Sequence, residues 1–187
     1  DNFDKNKKRK EFGVTDDDII IISVGELNQN KNHEVVIKAI FKLNNPKIHY
    51  FIAGKGEKER YLYNLASRLK VNLHLLGYRT DVVELLNMAD LYVFPSFREG
   101  LSVALMEAMA AGLPCIVSKI RGNVDLIEEG KGGYLCNPDN ECEFANKINY
   151  LCSNHKLMFN MKIYNHNIIQ KFDVKEILEK ISCIYFG

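Results

Sequence analysis

Residues 91–112 read LYVFPSFREGLSVALMEAMAAG, and this stretch decides the fold. It divides into three. Leu91 to Phe94 is a short apolar run with β propensity, closed by Pro95, and predicts a buried strand. Ser96 to Gly100 is a polar loop carrying Arg98 and Glu99. Ser102 suits an N-cap, and Val103 to Ala111 is predicted as a helix in which Glu107 is the one charged residue. A carboxylate set among Val, Ala, Leu and Met is costly to bury without donors. Glu107 therefore needs a partner, and two readings stand: a backbone N–H or basic side chain of the same chain, or the hydroxyl groups of a ligand.

The same strand-then-helix rhythm extends in both directions. Upstream, Ile19 to Val24 is β-branched apart from Ser23, as in a strand buried on both faces. It runs into the polar loop Gly25 to Lys31, after which Asn32 is placed to cap a helix reaching about Leu43. Tyr50 to Ala53 and Val71 to Leu76 predict two more strands, separated by a helix from about Glu57 to Leu69. Thr80 is placed to open a short helix to Met88. Downstream, strands are expected at Pro114 to Val117 and Gly133 to Cys136, with a short helix from Gly122 to Glu128 between them. Helices are expected at Asp139 to Cys152, Lys156 to Gln170 and Val174 to Tyr185. Alternation of this kind implies right-handed crossovers and a Rossmann-like, doubly wound parallel sheet of about six strands, with helices on both faces and a helical C-terminal end. The implied division is a lead-in segment 1–18, a Rossmann-like domain 19–155, and C-terminal helices 156–187.

Composition narrows the class of function. At 187 residues, 47% hydrophobic and 26% charged, the chain suits one folded domain with a sizeable core. A formal net charge of +1 offers no general attraction for nucleic acid. Five cysteines without a Cys-x-x-Cys spacing fit a reducing, cytoplasmic setting better than a disulfide framework or a zinc site, and no metal is expected. No run is long and apolar enough for a membrane span. The chain starts at Asp1 without methionine, so a piece of something longer is expected. Lys5, Lys7, Lys8, Arg9 and Lys10 form a basic cluster that reads as a solvated helix face.

In a doubly wound sheet, ligands bind beyond the carboxyl ends of the strands, which selects loops 25–31, 54–56, 77–79, 95–102 and 118–122. Residues as distant as Lys31 and Glu107 then become candidate neighbours. Gly100 permits close backbone approach, and the free N–H groups of Leu101, Ser102 and Val103 offer an anion site at a helix start. Lys31 is a point charge suited to phosphate, though a lysine at a helix start is also commonly just exposed. Gly54-Lys55-Gly56 lacks the full dinucleotide fingerprint, and no Walker-type loop is present.

These residues carry a resemblance. SVGELNQNKNHEVVIKA (23–39), FIAGKGE (51–57), the span 75–118, and RGNVDLIEEGKGGYLCNPDN (121–140) resemble, in order, the C-terminal, donor-binding half of a GT-B glycosyltransferase of family four, also called group 1. Glu99 and Glu107, spaced as in that family's paired-glutamate motif, carry it most specifically. The resemblance implies a nucleotide-diphosphate sugar as donor, no required metal or other cofactor, retention of anomeric configuration, and a glycan or lipid-linked acceptor held by an N-terminal domain. A surface-polysaccharide or capsule setting is implied, with peripheral membrane association of the full-length protein.

Carried over by residue, Glu99 meets hydroxyls of the donor sugar and Glu107 those of the ribose. The backbone of Gly100, Leu101 and Ser102 holds diphosphate or sugar oxygens, Lys31 binds the leaving diphosphate beside Gly25, and Tyr78 and Arg79 lie near the nucleobase. Lys31 and Glu99 are thus the implied catalytic pair. His33, His49, His74, His155 and His166 are expected to be structural or on the surface. One departure stands out: Glu26 occupies the place of an arginine that shares the phosphate in many members, and an anion there repels phosphate. Either Glu26 points away from the phosphate or another cation, with Arg98 the candidate, supplies the charge. A sugar epimerase of the same architecture, and a binding domain with a decayed site, are the alternatives.

Overall fold

The computed structural model describes residues 3–170. Six strands alternate with helices: α1 (Lys5–Glu11), β1 (Ile19–Val24), α2 (His33–Leu43), β2 (Ile48–Ala53), α3 (Glu59–Leu69), β3 (Asn72–Leu75) and α4 (Val82–Met88). Then follow β4 (Leu91–Phe94), α5 (Val103–Ala110), β5 (Cys115–Ser118), α6 (Asn123–Leu126), β6 (Gly133–Cys136), α7 (Glu141–Cys152) and α8 (His155–Ile169). The expected strands are all present, displaced by no more than a residue or two at their ends. The expected helix Val174–Tyr185 lies outside the described residues.

All strand pairs are parallel and the order is β3-β2-β1-β4-β5-β6. From β1 the chain winds outward through β2 and β3, then returns to lay β4 beside β1 and winds out the other way. The reversal leaves a crevice beyond the carboxyl ends of β1 and β4, where this architecture receives ligands. The register Ile21↔Leu91 and Ile22↔Tyr92 brings those two strand ends side by side.

The run of isoleucines in β1 explains its central place. Ile20, Ile21 and Ile22 are all fully buried. Side chains alternate across a strand, so Ile21 packs with α2, α3 and α7 on one face, while Ile20 and Ile22 pack with α4 and α5 on the other. Each such side chain contributes about 1.5–3 kcal/mol by leaving water. α8 lies across α7 and α5, where Asn165 is fully buried and its amide donates to the Leu113 and Gly132 carbonyls, both at 2.7 Å.

The N-terminal basic cluster departs from its expected solvated face. It forms α1, capped by Asp4, but Lys8 and Arg9 are buried. Lys8 Nζ lies 2.8 Å from both Asp81 and Glu84 and 3.3 Å from Glu11. Arg9 donates to the Met88, Thr15 and Asp18 carbonyls and pairs with Asp90 at 2.5 Å. Asp90 in turn accepts from the Ile20 N–H. Asp81, Glu84, Met88 and Asp90 lie some seventy to eighty positions downstream, so a local run of charge gave no sign of them. α1 lies along α4, with Arg9 tied to the N-terminal end of the sheet at Asp90 and Lys8 to the start of α4.

Candidate functional site

The crevice is built from loops joined to one another by backbone hydrogen bonds. The loop after β1 is held to the loop after β2 through Gly25 N–H to Ala53 O (3.0 Å), Leu27 N–H to Lys55 O (3.0 Å) and Lys58 N–H to Leu27 O (2.9 Å). Asn30 and Asn32 tie it to the loop after β4. The Asn30 carbonyl accepts from Phe97 N–H at 2.8 Å; its side chain accepts from Arg98 N–H (3.1 Å) and donates to Arg98 O (2.9 Å).

Asn32 does not cap α2 with its side chain as expected. Its backbone is left-handed, φ 52°, a conformation asparagine tolerates better than most residues. Its amide instead donates to Pro95 O (3.2 Å) and Pro138 O (2.8 Å), binding three loops together. Nothing in the local pattern marked Asn30 or Asn32 for this work, because their partners are 63 to 106 residues away.

Lys31 stands between these two anchors, and its Nζ meets Glu99 Oε1 at 2.7 Å. Two residues 68 apart in sequence, both expected in the site, therefore touch at the switch point of the sheet. The ammonium also lies over the Phe94 ring, 4.8 Å from its centre, a cation–π contact. Gly25 leaves the room this needs: a Cβ there would stand 3.2 Å from Lys31 Cε on a backbone at φ 154°. Across the crevice, Gly122 (φ 88°) backs the Glu99–Gly100 segment, where a Cβ would stand 2.2 Å from Gly100 O. Any larger residue at 122 displaces the loop carrying Glu99.

The start of α5 has the expected cap, Ser102 Oγ accepting from Leu105 N–H at 3.3 Å. Gly100 and Leu101 are exposed beside it. Glu107 sits further along the same helix and is exposed, not buried among apolar side chains. Val103, Glu107 and Ala110 share the solvent face of α5, so the carboxylate carries no burial cost to be offset. Its side chain has no hydrogen bond or ion pair among the described residues. Arg98 is likewise exposed, and only its backbone is engaged.

The two residues after β3 diverge. Tyr78 is 76% exposed on the crevice side of the sheet. Arg79 is committed to Asp81 by a bidentate pair at 2.8 and 2.6 Å, which also holds Asp81 well below the usual carboxylate range. Arg79 therefore does not join the Lys31–Glu99 pair. Glu26 is exposed and its carboxylate accepts from Asn28 Nδ2 at 2.8 Å, while Asn28 Oδ1 accepts from Lys31 N–H. Its backbone carbonyl accepts from His33, which is buried beneath the loop at 2% exposure. Burial, with the Lys31 charge as a lesser cause, pushes the His33 imidazole down to about 4. Among the described residues no cluster of His, Cys, Asp or Glu is arranged to hold a metal ion.

The family model for glycosyl transferases, group 1, matches residues 4–167. The chain belongs to that family. It is 31% identical over 185 residues to the UDP-Gal:alpha-D-GlcNAc-diphosphoundecaprenol alpha-1,3-galactosyltransferase of Escherichia coli, covering 95% of this chain and 48% of that protein. It is 27% identical over 187 residues to the N-acetyl-alpha-D-glucosaminyl L-malate synthase of Bacillus anthracis, covering 98% and 49%. Among solved structures, Anabaena HepE in complex with UDP and glucose superimposes with a TM-score of 0.88 at 26% identity, over 95% of this chain and 50% of that one. The chain spans about half the length of the curated relatives it matches. Its Rossmann-like sheet is that of the GT-B glycosyltransferases, as the sequence resemblance implies.

Proposed function

We propose that this group 1 chain is the donor-binding half of a retaining glycosyltransferase, which moves a sugar from a nucleotide-diphosphate sugar to a glycan or lipid-linked acceptor. The observation that carries the reading is the Lys31–Glu99 contact at the switch point of the sheet. Breaking the anomeric C–O bond places negative charge on the leaving diphosphate. A fixed ammonium beside that oxygen stabilises the charge as it develops, without reorganisation at the moment of reaction. Glu99 orients the ammonium and leaves carboxylate lone pairs for sugar hydroxyls. The α5 N-terminus at Gly100 to Ser102 offers N–H donors to the same oxygens. Glu107, exposed further along α5, is free to accept from a ribose. Tyr78 supplies an aromatic face for the base.

Named relatives and neighbours support the donor class. HepE was solved with UDP and glucose, and the E. coli relative is named for transfer from UDP-galactose to a diphosphoundecaprenol acceptor. A setting in surface-polysaccharide assembly at the cytoplasmic face of a membrane accords with such an acceptor. Among the described residues no helix is long and apolar enough to cross a membrane. Calorimetric titration of UDP-, GDP- and ADP-sugars tests the donor site. One nucleotide class is expected to bind, and to be lost in Glu107→Ala and Lys31→Ala; absence of binding by all three overturns it. Proton NMR of the first product formed by the full-length protein tests retention, an inverted anomeric centre refuting it.

A further inference from the structure

Beneath the loop after β1 runs a chain of side chains between two backbone carbonyls. His33 Nε2 lies 3.1 Å from Glu26 O, His33 Nδ1 3.0 Å from Tyr50 Oη, Tyr50 Oη 2.8 Å from Ser23 Oγ, and Ser23 Oγ 2.5 Å from Val93 O. All three side chains are buried, Tyr50 and Ser23 completely. The chain links the loop bearing Lys31 to β4, the strand that leads to Glu99.

Proton counting shows what is unusual. Both ends are carbonyls and can only accept. Four contacts therefore require four protons, while a neutral imidazole, a phenol and a serine hydroxyl bring one each, three in all. One contact pairs two acceptors. A second proton on the imidazole completes the series: Nε2–H donates to Glu26 O, Nδ1–H to Tyr50, Tyr50 to Ser23, and Ser23 to Val93 O.

Burial and a nearby cation oppose that proton in the free protein. Among the described residues, the charged and titratable groups around His33 are Tyr50 from β2 and, from the loop before α2, Lys31 and Glu26. Glu99 stands behind Lys31, and Glu26 turns its carboxylate to Asn28. Ser23 on β1 and Val93 on β4 bring no charge. Of these, Lys31 is the one whose field is expected to change most when a diphosphate arrives.

We propose that His33 is a positioning residue of the donor site, and that it takes up a proton from solvent when an anionic diphosphate meets Lys31. The proton closes the buried chain and locks the Glu26 carbonyl, and with it the Gly25–Lys31 loop, against β4. The inference rests on the donor-site reading above. It departs from the expectation that His33 is merely structural.

Ser23→Ala gives the cleanest test. It removes one proton and two contacts, so Tyr50 donates to Nδ1 and Nε2–H still holds Glu26 O, with the imidazole neutral. UDP is the probe, titrated into the wild-type and Ser23→Ala chains between pH 7.5 and pH 6.0. Protonation of UDP itself is common to both. The wild-type affinity is expected to rise, relative to the variant, about three- to tenfold as pH falls, the size expected when binding raises one group's proton affinity toward this range. In parallel, 15N spectra of the His33 ring at pH 6.5 should change from a neutral tautomer to imidazolium on saturation with UDP. Matching pH profiles, or a ring that stays neutral in the saturated wild type, overturn the proposal while leaving the donor site intact. Failure of UDP, and of GDP and ADP in its place, to bind the wild type overturns the donor-site reading, and this inference with it.

Discussion

Two ion pairs stand at opposite ends of the central strands, and they are used differently. At the N-terminal end, Arg9 meets Asp90, with the arginine side chain 3% exposed. Its guanidinium also feeds three backbone carbonyls, and the carboxylate accepts from Ile20 N–H. At the carboxyl end, Lys31 meets Glu99, with side chains 19% and 15% exposed. Here, among the described residues, the ammonium has one hydrogen-bond acceptor and an aromatic face. The first pair is spent on the fold: the guanidinium makes four hydrogen bonds to protein groups, and Asp90, 23% exposed, also meets Lys5. The second keeps donors and lone pairs for something else, and it opens onto the crevice. A buried charge whose hydrogen bonds go mostly to the fold holds it together; one with a single acceptor at a switch point suits a ligand.

Arg9→Ala should be the more damaging change to the fold. It leaves three carbonyls without their donor and Asp90, among the described residues, with only Lys5 and the Ile20 N–H, and removal of one partner from a buried pair costs about 3–5 kcal/mol. Urea unfolding of the two chains measures this directly. A loss below about 1 kcal/mol would place the Arg9 pair among surface salt bridges and erase the contrast.

Lys31→Ala should reverse the pattern, with the smaller loss of stability and the larger loss of activity. Removing one preorganised contact to developing charge typically costs a hundredfold to a thousandfold in kcat, about 3–4 kcal/mol. Steady-state kinetics of the full-length protein, paired with unfolding of the same variant, separates the two effects. Normal turnover would assign Lys31 to structure.

The fold was legible in the sequence because its signals are local. The isoleucines of β1, the apolar run of β4 stopped by Pro95, and Ser102 before a helix each act through neighbours a few residues away. Much of the site geometry was not, because its bonds are long in sequence. Asn32 suits a cap by its local sequence, yet it bridges Pro95 and Pro138; Lys8 and Arg9 sit in a run that suits solvent, yet Asp81, Glu84 and Asp90 receive them. Glu107 looked buried because Val103 and Ala110, its neighbours on the exposed face of α5, are themselves apolar residues. The strand-end rule brings Lys31 and Glu107 forward as candidate neighbours, whereas the carboxylate that Lys31 meets is that of Glu99.

Acid should weaken the protein through imidazoles that the folded chain keeps neutral, His33 beneath the ligand loop and His74 on the edge strand β3. Burial holds His33 and His74 down at about 4, against an ordinary value of 6.5. Below pH 6.5 the unfolded chain binds protons that the folded chain refuses, so stability is full above that value and falls as pH drops toward 4. For fully buried His33 the loss reaches on the order of 3 kcal/mol at the bottom of the window. The urea midpoint should decline between pH 7 and pH 4.5, and less steeply in His33→Phe. A midpoint flat across that range would show that these imidazoles are as easily protonated folded as unfolded.

The smallest expected effect falls on the start of α5, and it tells whether the helix cap serves the fold or the ligand. Ser102 Oγ satisfies the Leu105 N–H, and its loss in Ser102→Ala should cost about 1 kcal/mol of stability. The same change removes an obstacle as well as a bond, since the uncapped N–H joins those of Leu101 to Val103 at the positive end of the helix. If those N–H groups receive diphosphate oxygens, binding of the nucleotide sugar offsets part of the lost cap, and the stability deficit of Ser102→Ala narrows when donor is present. If they do not, the deficit is the same with and without donor. Thermal unfolding of both chains with and without saturating donor distinguishes these outcomes, and does so at the end of the sheet where Lys31 and Glu99 stand.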